Sequence, residues 1–140
     1  MTAQDNNSLP VRTDGHNCFV CGPHNSIGLR VRFQMDGDVC RGEFTPGTDH
    51  CGYDGITHGG ILFSLLDDVM ANWLYLKGLR CFTAKCEIRY RNPLPINCRV
   101  LLVGKSVKRK RNVVVMEGIA SRADTSEAIA DCQASFVIES

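Results

Sequence analysis

Residues 57–70 read THGGILFSLLDDVM, a histidine and two glycines followed by a long apolar run that carries two carboxylates. The apolar run predicts a helix from about Gly59 to Lys77, closed by Gly78. The first backbone N–H groups of a helix have no intrahelical partner and attract negatively charged oxygen. A carboxylate among apolar residues is costly to bury. An oxyanion-binding helix start combined with such a carboxylate indicates acyl transfer.

The two carboxylates of this run have different predicted surroundings. Asp67 has apolar helical neighbours such as Met70, so we expect a raised pKa and a functional role. The alternatives for this carboxylate are a buried hydrogen-bonded acid and an ion pair at an interface. Asp68 shares a polar stripe with Ser64 and Asn72, which predicts a solvated or interface carboxylate.

The flanking sequence has the period-2 alternation of an antiparallel sheet. Residues 29–35 predict a strand, Asp36-Gly37 a hairpin turn, and residues 39–44 the returning strand. Four more strands are predicted after the helix, over residues 82–90, 99–107, 113–121 and 128–138. One helix on one antiparallel sheet is a two-layer α+β domain. The apolar surface that this arrangement leaves uncovered predicts a homodimer.

Length and composition fit a single domain. The chain has 140 residues, 44% of them hydrophobic, and a formal net charge of +1. We predict a polar, flexible arm over residues 1–15 and one domain over residues 16–140. The charge balance excludes a general affinity for nucleic acid or membrane. The polar start lacks the pattern of a signal peptide, which predicts a cytoplasmic protein with reduced cysteines.

The pair Cys18-x-x-Cys21, with a histidine on each side, has the ligand types of a zinc site. A structural zinc usually needs a second ligand pair, and the chain has no other C-x-x-C. His50 and Cys51 are candidate remote ligands, and a redox pair is a further alternative. From these observations we predict no metal and no cofactor.

Several motifs resemble those of the hotdog-fold acyl-CoA thioesterases, the phenylacetate-pathway and 4-hydroxybenzoyl-CoA thioesterase-like superfamily. They are CFVCG at 18–22 with Gly28-Leu29, GITHGG at 55–60, LLD at 65–67 and RYRNP at 89–93. The resemblance covers residues 16–139. It implies a hotdog fold, in which an antiparallel sheet of about six strands wraps around one long central helix. It also implies hydrolysis of an acyl-CoA by a homodimer or a dimer of dimers.

The resemblance also implies roles for individual residues. Asp67 corresponds to the nucleophile or general base, and the backbone N–H of Gly60, helped by Gly59, to the oxyanion donor. These two groups typically come from different subunits. Thr83 matches a residue that orients the attacking water, although its strand position also fits a solvent-facing residue. His58 occupies the histidine position, where we favour positioning or helix capping over proton transfer.

One basic cluster is present, in a predicted hairpin turn over residues 108–112. A solvated turn is its simplest interpretation, and docking of the coenzyme A phosphates is the functional one. Nucleic acid is excluded because no aromatic residues are interleaved with the basic ones. The residues concerned are Lys108, Arg109, Lys110 and Arg111.

Two other functions are compatible with the same motifs. A hydratase or dehydratase acting on acyl thioesters would use His58 and Asp67 as a proton-transferring pair. A non-catalytic acyl-CoA-binding module would keep the two glycines and tolerate the loss of Asp67. Apolar helix residues such as Phe63 and Trp73, with Phe82, indicate an apolar acyl tail, although they also fit a plain core.

Overall fold

The computed structural model describes residues 14–139. Its elements are, in chain order, β1 (Gln34–Asp36), β2 (Val39–Phe44), a 3-10 turn (Thr48–His50), α1 (Gly59–Tyr75), β3 (Cys81–Tyr90), β4 (Val100–Lys110), β5 (Val113–Arg122) and β6 (Ala128–Ile138). The strands form one antiparallel sheet in the order β1-β2-β4-β5-β6-β3. The predicted two-layer α+β architecture is therefore confirmed. No helix within residues 14–139 is long and apolar enough to cross a membrane.

The core lies between α1 and one face of the sheet. Because apolar residues recur along three sides of α1, most of the helix is buried. The chain leaves the helix at Gly78, whose φ of +83° favours glycine. The helix ends at Tyr75, two residues before the predicted end. Its buried apolar side chains are Leu62, Leu65, Leu66, Val69, Met70 and Leu74.

Two glycines let α1 approach the sheet closely. A Cβ at Gly104 of β4 would lie 2.6 Å from the carbonyl oxygen of Val69. A Cβ at Gly118 of β5 would lie 3.3 Å from Leu66 and 3.1 Å from Cys132. Side chains at these positions would push the helix, and with it Asp67, away from the sheet.

The first predicted strand is shorter than expected. Residues 29–35 do alternate in burial, with Val31 buried and Phe33 half-buried, but β1 begins only at Gln34. The reason is that the preceding residues pair instead with the N-terminal loop, residues 15–22. Val31 N–H donates to the carbonyl oxygen of Val20 at 2.9 Å, and Leu29 N–H makes a similar bond to the same loop.

The predicted arm over residues 1–15 lies almost wholly outside the described residues. Its last residue is tied to the helix, because Gly15 N–H donates to the hydroxyl of Tyr75 at 3.2 Å. The structure thus holds the N-terminal loop against the last turn of α1.

The predicted alternation of β3 fails at its start. We expected Phe82 and Ala84 to face the core, but Phe82 is 53% exposed. A β-bulge between Thr83 and Lys85 adds one residue to this strand and reverses its alternation. Before the bulge Thr83 therefore faces α1, and after it Cys86 does.

The strand β3 forms one edge of the sheet, and β1 forms the other. The edge at β3 is ten residues long and carries two large, half-exposed aromatic residues, Phe82 and Tyr90. A long edge of this kind is a template for pairing with another chain. The homodimer stays a prediction that this surface supports.

Candidate active site

The carboxylate of Asp67 lies halfway along α1 and faces β3. The hydroxyl of Thr83 donates to Asp67 Oδ1 at 2.7 Å. Burial raises the pKa of Asp67, and the hydrogen bond from Thr83 opposes this effect. The bulge in β3 turns Thr83 toward the helix. Strand alternation alone would have put this side chain on the solvent-facing side of the sheet.

The start of α1 is capped by His58. Its Nδ1 accepts a hydrogen bond from Gly60 N–H at 2.8 Å, so that N–H has a partner in this conformation. The backbone N–H of His58 donates to the carbonyl oxygen of His50 at 2.8 Å. The carbonyl oxygen of Gly59 accepts from the Tyr90 hydroxyl at 2.9 Å, which ties the helix start to the end of β3.

A shallow cleft opens beside this helix start. Thr57 is only 5% exposed, and within residues 14–139 its hydroxyl oxygen has no hydrogen-bond partner. A buried hydroxyl without a partner costs free energy, so a polar group bound in the cleft would relieve it. The lining residues are Thr57, Gly59, Leu62, Tyr90, Arg91, Asn92, Pro93 and Leu94.

The helix start and the carboxylate do not meet in one chain. Gly60 and Asp67 are seven residues apart on α1, which corresponds to about 10 Å along the helix axis. One substrate carbonyl cannot contact both groups at that separation. The structure brings Asp67 together with Thr83, and Gly60 together with His58, as two separate groups.

Of the two surroundings predicted for Asp68, a solvated or an interface carboxylate, the solvated one is wrong. Its Oδ2 accepts from Asn72 Nδ2 at 3.1 Å, and its Oδ1 lies 3.7 Å from the Sγ of Cys18. Burial raises the pKa of Asp68 to about 7. The polar stripe of the helix does exist, but the N-terminal loop covers it, so Asp68 and the 95%-buried Asn72 face that loop.

The cysteine pair lies directly against this carboxylate. A hydrogen bond from the Cys21 thiol lowers the pKa of Cys18 to about 5, and the same contact together with burial raises the pKa of Cys21. The two sulfurs and a carboxylate oxygen of Asp68 lie within 4.8 Å of one another. Sequence reasoning noticed the C-x-x-C motif but missed its partner Asp68, which is about fifty residues away. The other suggested ligands, His50 and Cys51, are not in this group.

The Thioesterase superfamily profile matches residues 54–129, which include α1 and most of the sheet. The chain belongs to the thioesterase superfamily.

Curated relatives in this superfamily are longer than this chain. Acyl-coenzyme A thioesterase THEM5 of Homo sapiens is 28% identical over 94 residues, covering 67% of this chain and 38% of that protein. Acyl-coenzyme A thioesterase THEM4 of Xenopus laevis is 36% identical over 66 residues, covering 46% of this chain and 29% of that protein. The matched region therefore spans between 29% and 38% of the length of these two curated relatives.

Several solved structures share the fold of this chain. A thioesterase superfamily protein of known crystal structure matches with a TM-score of 0.79 and 26% identity, covering 87% of this chain and 60% of that one. The E. coli PaaI protein from the phenylacetic acid degradation operon matches with a TM-score of 0.74 and 18% identity, covering 80% and 81%. A hypothetical thioesterase of Streptococcus pneumoniae, solved with coenzyme A, gives 0.72 and 18%, covering 77% and 87%. The expected hotdog fold is confirmed.

We predicted that the basic cluster of this thioesterase superfamily chain forms a turn, but only its last residue, Arg111, lies in the turn. The strand β4 continues to Lys110, and the turn consists of Arg111, with a φ of +59°, and Asn112. Lys108 and Lys110 lie on the outer face of the sheet, because they pair with Val115 and Val113, which flank the buried Val114. Arg109 points to the opposite side, and its Nε donates to the carbonyl oxygen of Arg111 at 2.9 Å. Within one chain Lys108 and Lys110 therefore lie on the other face of the sheet from α1.

Proposed function

We propose that this chain hydrolyses an acyl-CoA thioester to the free acid and coenzyme A. The observation that carries the proposal is the half-buried Asp67, held by the Thr83 hydroxyl at 2.7 Å on the helix that begins with His58-Gly59-Gly60. Acyl-CoA hydrolysis is also the activity for which the relatives THEM5 and THEM4 are named.

The chemistry requires few groups. The Asp67 carboxylate attacks the thioester carbonyl carbon, or it takes a proton from the water that attacks there. The backbone N–H of Gly60 donates to the oxyanion that develops on the carbonyl oxygen. The carbon–sulfur bond then breaks, and coenzyme A leaves as a thiolate. If Asp67 is the nucleophile, water next hydrolyses the acyl–Asp67 anhydride to the free acid; if Asp67 is the base, the proton that it has taken passes to the thiolate or to solvent. Because a thiolate is a good leaving group, no general acid is needed.

The proposed site uses two chains. Since Gly60 and Asp67 of one chain are about 10 Å apart along α1, the oxyanion donor for one Asp67 comes from the helix start of a second chain. For Gly60 N–H to face the substrate, the His58 side chain that now accepts its hydrogen bond turns away. The long unpaired edge of β3, which also carries Thr83, is the surface proposed to pair.

Two further features support a coenzyme A thioester as the substrate class. The cleft at the helix start holds the unpartnered Thr57 hydroxyl, which is suited to a polar atom next to the thioester. Lys108 and Lys110 lie on the outer face of the sheet and would meet the phosphates of a coenzyme A bound from another chain. A coenzyme A complex is known for a related fold, the S. pneumoniae protein described above.

The test is thiol release from a panel of short, medium, long and aromatic acyl-CoAs by the parent protein and by Asp67→Asn. We expect turnover by the parent and a loss of about two orders of magnitude or more in kcat/KM for the variant. Asp36→Asn, which removes an exposed carboxylate at the opposite edge of the sheet, is the matched control and keeps parental turnover.

Other outcomes contradict the proposal in distinguishable ways. Unchanged turnover in Asp67→Asn would keep the activity but remove Asp67 from the site. A folded protein that hydrolyses none of the substrates yet binds acyl-CoA would be a binding module. Hydration of an enoyl-CoA would point to the hydratase.

A further inference from the structure

A second group of reactive side chains lies where α1 meets the N-terminal loop, about 100° around the helix from Asp67. The sulfurs of Cys18 and Cys21 and a carboxylate oxygen of Asp68 all lie within 4.8 Å of one another. Two cysteines and an aspartate offer three negatively charged donors in one half-buried place. A cation that displaces the thiol protons would be bound by all three groups in their negatively charged forms, so the arrangement is suited to a metal ion.

The loop that carries Cys18 and Cys21 directs backbone N–H groups toward the sulfur of Cys18. The backbone N–H of Val20 lies 3.4 Å from Cys18 Sγ, and the N–H of Cys21 also faces it. Gly22 closes the loop with an N–H bond to the Cys18 carbonyl oxygen at 2.9 Å. A Cβ at Gly22 would lie 2.3 Å from the Cys18 nitrogen, so only glycine fits. Backbone donors aimed at a sulfur stabilise its thiolate form, which is the form that binds metal.

A buried amide holds two of the three groups in place. Asn72 Nδ2 lies 3.1 Å from Asp68 Oδ2 and 3.7 Å from Cys21 Sγ. The side chain of Asn72 is fixed in turn by its bond to the Asp68 carbonyl oxygen at 2.9 Å. Such outer hydrogen bonds orient metal ligands in known metal sites.

We propose that Cys18, Cys21 and Asp68 bind one zinc ion through two thiolates and a carboxylate. Tetrahedral zinc with ordinary bond lengths requires a sulfur-to-oxygen separation of about 3.5 Å between ligands. The two oxygens of Asp68 lie 3.7 and 3.8 Å from Cys18 Sγ, so little movement is needed. On binding, each protonated thiol releases its proton to solvent. Zinc is the ion that this mixture of thiolate and carboxylate favours.

The fourth position of the ion faces a cleft. This cavity of about 190 Å³ has both cysteines and Asp68 in its wall, together with Asn72 and Arg80. Water or a small donor molecule completes the tetrahedron there. The proposed ion differs from the absence of metal that the sequence alone predicted, because the third ligand could not be found without the fold.

The proposed zinc ties the N-terminal loop to the helix that carries Asp67. A ligand that binds the folded chain and not the unfolded one raises the apparent stability. Zinc would therefore fix the loop over the polar stripe of α1 whether or not a substrate is present, and the proposal can be tested without any measurement of hydrolysis.

The experiment uses the whole chain, purified under reducing, oxygen-free conditions, loaded with zinc and then dialysed. Metal analysis is expected to give one zinc per chain. Replacement by cobalt(II) is expected to produce a sulfur-to-cobalt charge-transfer band and the visible bands of a tetrahedral site. Cys18→Ser and Cys21→Ser are expected to lose most of the metal, and Asp68→Asn to bind it more than tenfold more weakly. Asn72→Ala, which leaves all three ligands, is expected to weaken binding about 10- to 100-fold.

Cys51→Ser is the matched control, because Cys51 is another half-buried thiol outside the group. It is expected to keep the full zinc content and the cobalt spectrum. Loss of metal in Cys51→Ser, or retention in Cys18→Ser, would overturn the ligand set. Less than a tenth of a zinc per folded chain, or a Cys18–Cys21 disulfide that persists in the reducing buffer, would overturn the proposal. Circular dichroism of every variant separates lost ligands from lost folding.

Discussion

Asp67 and Asp68 are adjacent in the sequence, yet their carboxylates belong to different groups of side chains. Successive residues of an α-helix point about 100° apart. The Asp67 carboxylate therefore faces Thr83, and the Asp68 carboxylate faces the N-terminal loop. Burial raises the pKa of both carboxyls. A raised pKa alone therefore does not distinguish Asp67 from Asp68, and our proposal of Asp67 depends also on its hydrogen bond from Thr83.

Replacement of Thr83 by valine tests how Asp67 is held. Thr83→Val removes the hydroxyl that donates to Asp67 Oδ1, so the carboxylate loses its fixed orientation. We expect kcat for acyl-CoA hydrolysis to fall about tenfold, the effect of one hydrogen bond to a charged group, with a smaller change in KM. The measurement is steady-state thiol release.

Thr83→Ser is the matched control for this prediction, because it keeps the hydroxyl and loses only the methyl group. It is expected to retain most of the parental kcat. Equal losses in the serine and valine variants would mean that Thr83 acts through packing and not through its hydroxyl.

At the scale of elements, the sequence predicted periodic features well and local irregularities poorly. The bounds of the helix that begins at Gly59 were predicted to within two residues, because the sequence carries both a recognisable start signal and a closing glycine. The faces of β3 were wrong before Lys85, because a bulge adds a residue without a sequence signal. The strand predicted to begin at residue 29 is shorter in the structure, because the residues before Gln34 pair with the N-terminal loop. The local alternation of apolar and polar residues cannot indicate such a long-range contact.

The cap of α1 allows the role of His58 to be separated from proton transfer. His58→Ala removes the acceptor of the Gly60 N–H and should lower the free energy of unfolding by about 1 kcal/mol. Because Asp67 is bonded to Thr83 and not to His58, we expect kcat to fall much less than in Asp67→Asn. Thermal denaturation and steady-state kinetics check the two parts. A loss of activity as complete as in Asp67→Asn would instead favour a histidine–carboxylate pair and the hydratase chemistry.

The contact between α1 and β4 depends on the absence of a side chain at Gly104. In Gly104→Ala the added Cβ meets the Val69 carbonyl oxygen at 2.6 Å, which is backbone and cannot move aside cheaply. We expect a loss of about 2 kcal/mol in the free energy of unfolding, measured by urea denaturation. Gly47→Ala is the control, because a Cβ there would approach nothing closer than 4.0 Å. Equal stability of the two variants would contradict the close approach.

At the scale of the whole molecule, part of the site could be anticipated and part could not. The spacing from His58 to Asp67 is local to one helix and can be recognised in the sequence. The contact between Cys18 and Asp68 joins residues fifty positions apart and depends on how the N-terminal loop folds over α1. The distance between Gly60 and Asp67 follows from helix geometry, and it leaves the second half of the proposed site to another chain.

A mixture of two defective chains tests whether that other chain completes the site. Gly60→Pro removes the proposed oxyanion donor, and the first turn of a helix tolerates proline because its N–H groups have no intrahelical partners. Asp67→Asn removes the carboxylate. Each variant alone is expected to be nearly inactive, folded by circular dichroism, and dimeric by analytical ultracentrifugation.

When the two variants are unfolded together in equal amounts and refolded, half of the dimers contain one chain of each kind. Such a dimer has one site with both intact groups and one site with neither, so about a quarter of the parental activity should return. Each variant refolded by itself is the control and should stay inactive. If each site is formed within a single chain, no mixture recovers activity. Mixed dimers that form without any recovery would therefore refute the shared site while leaving the dimer itself intact.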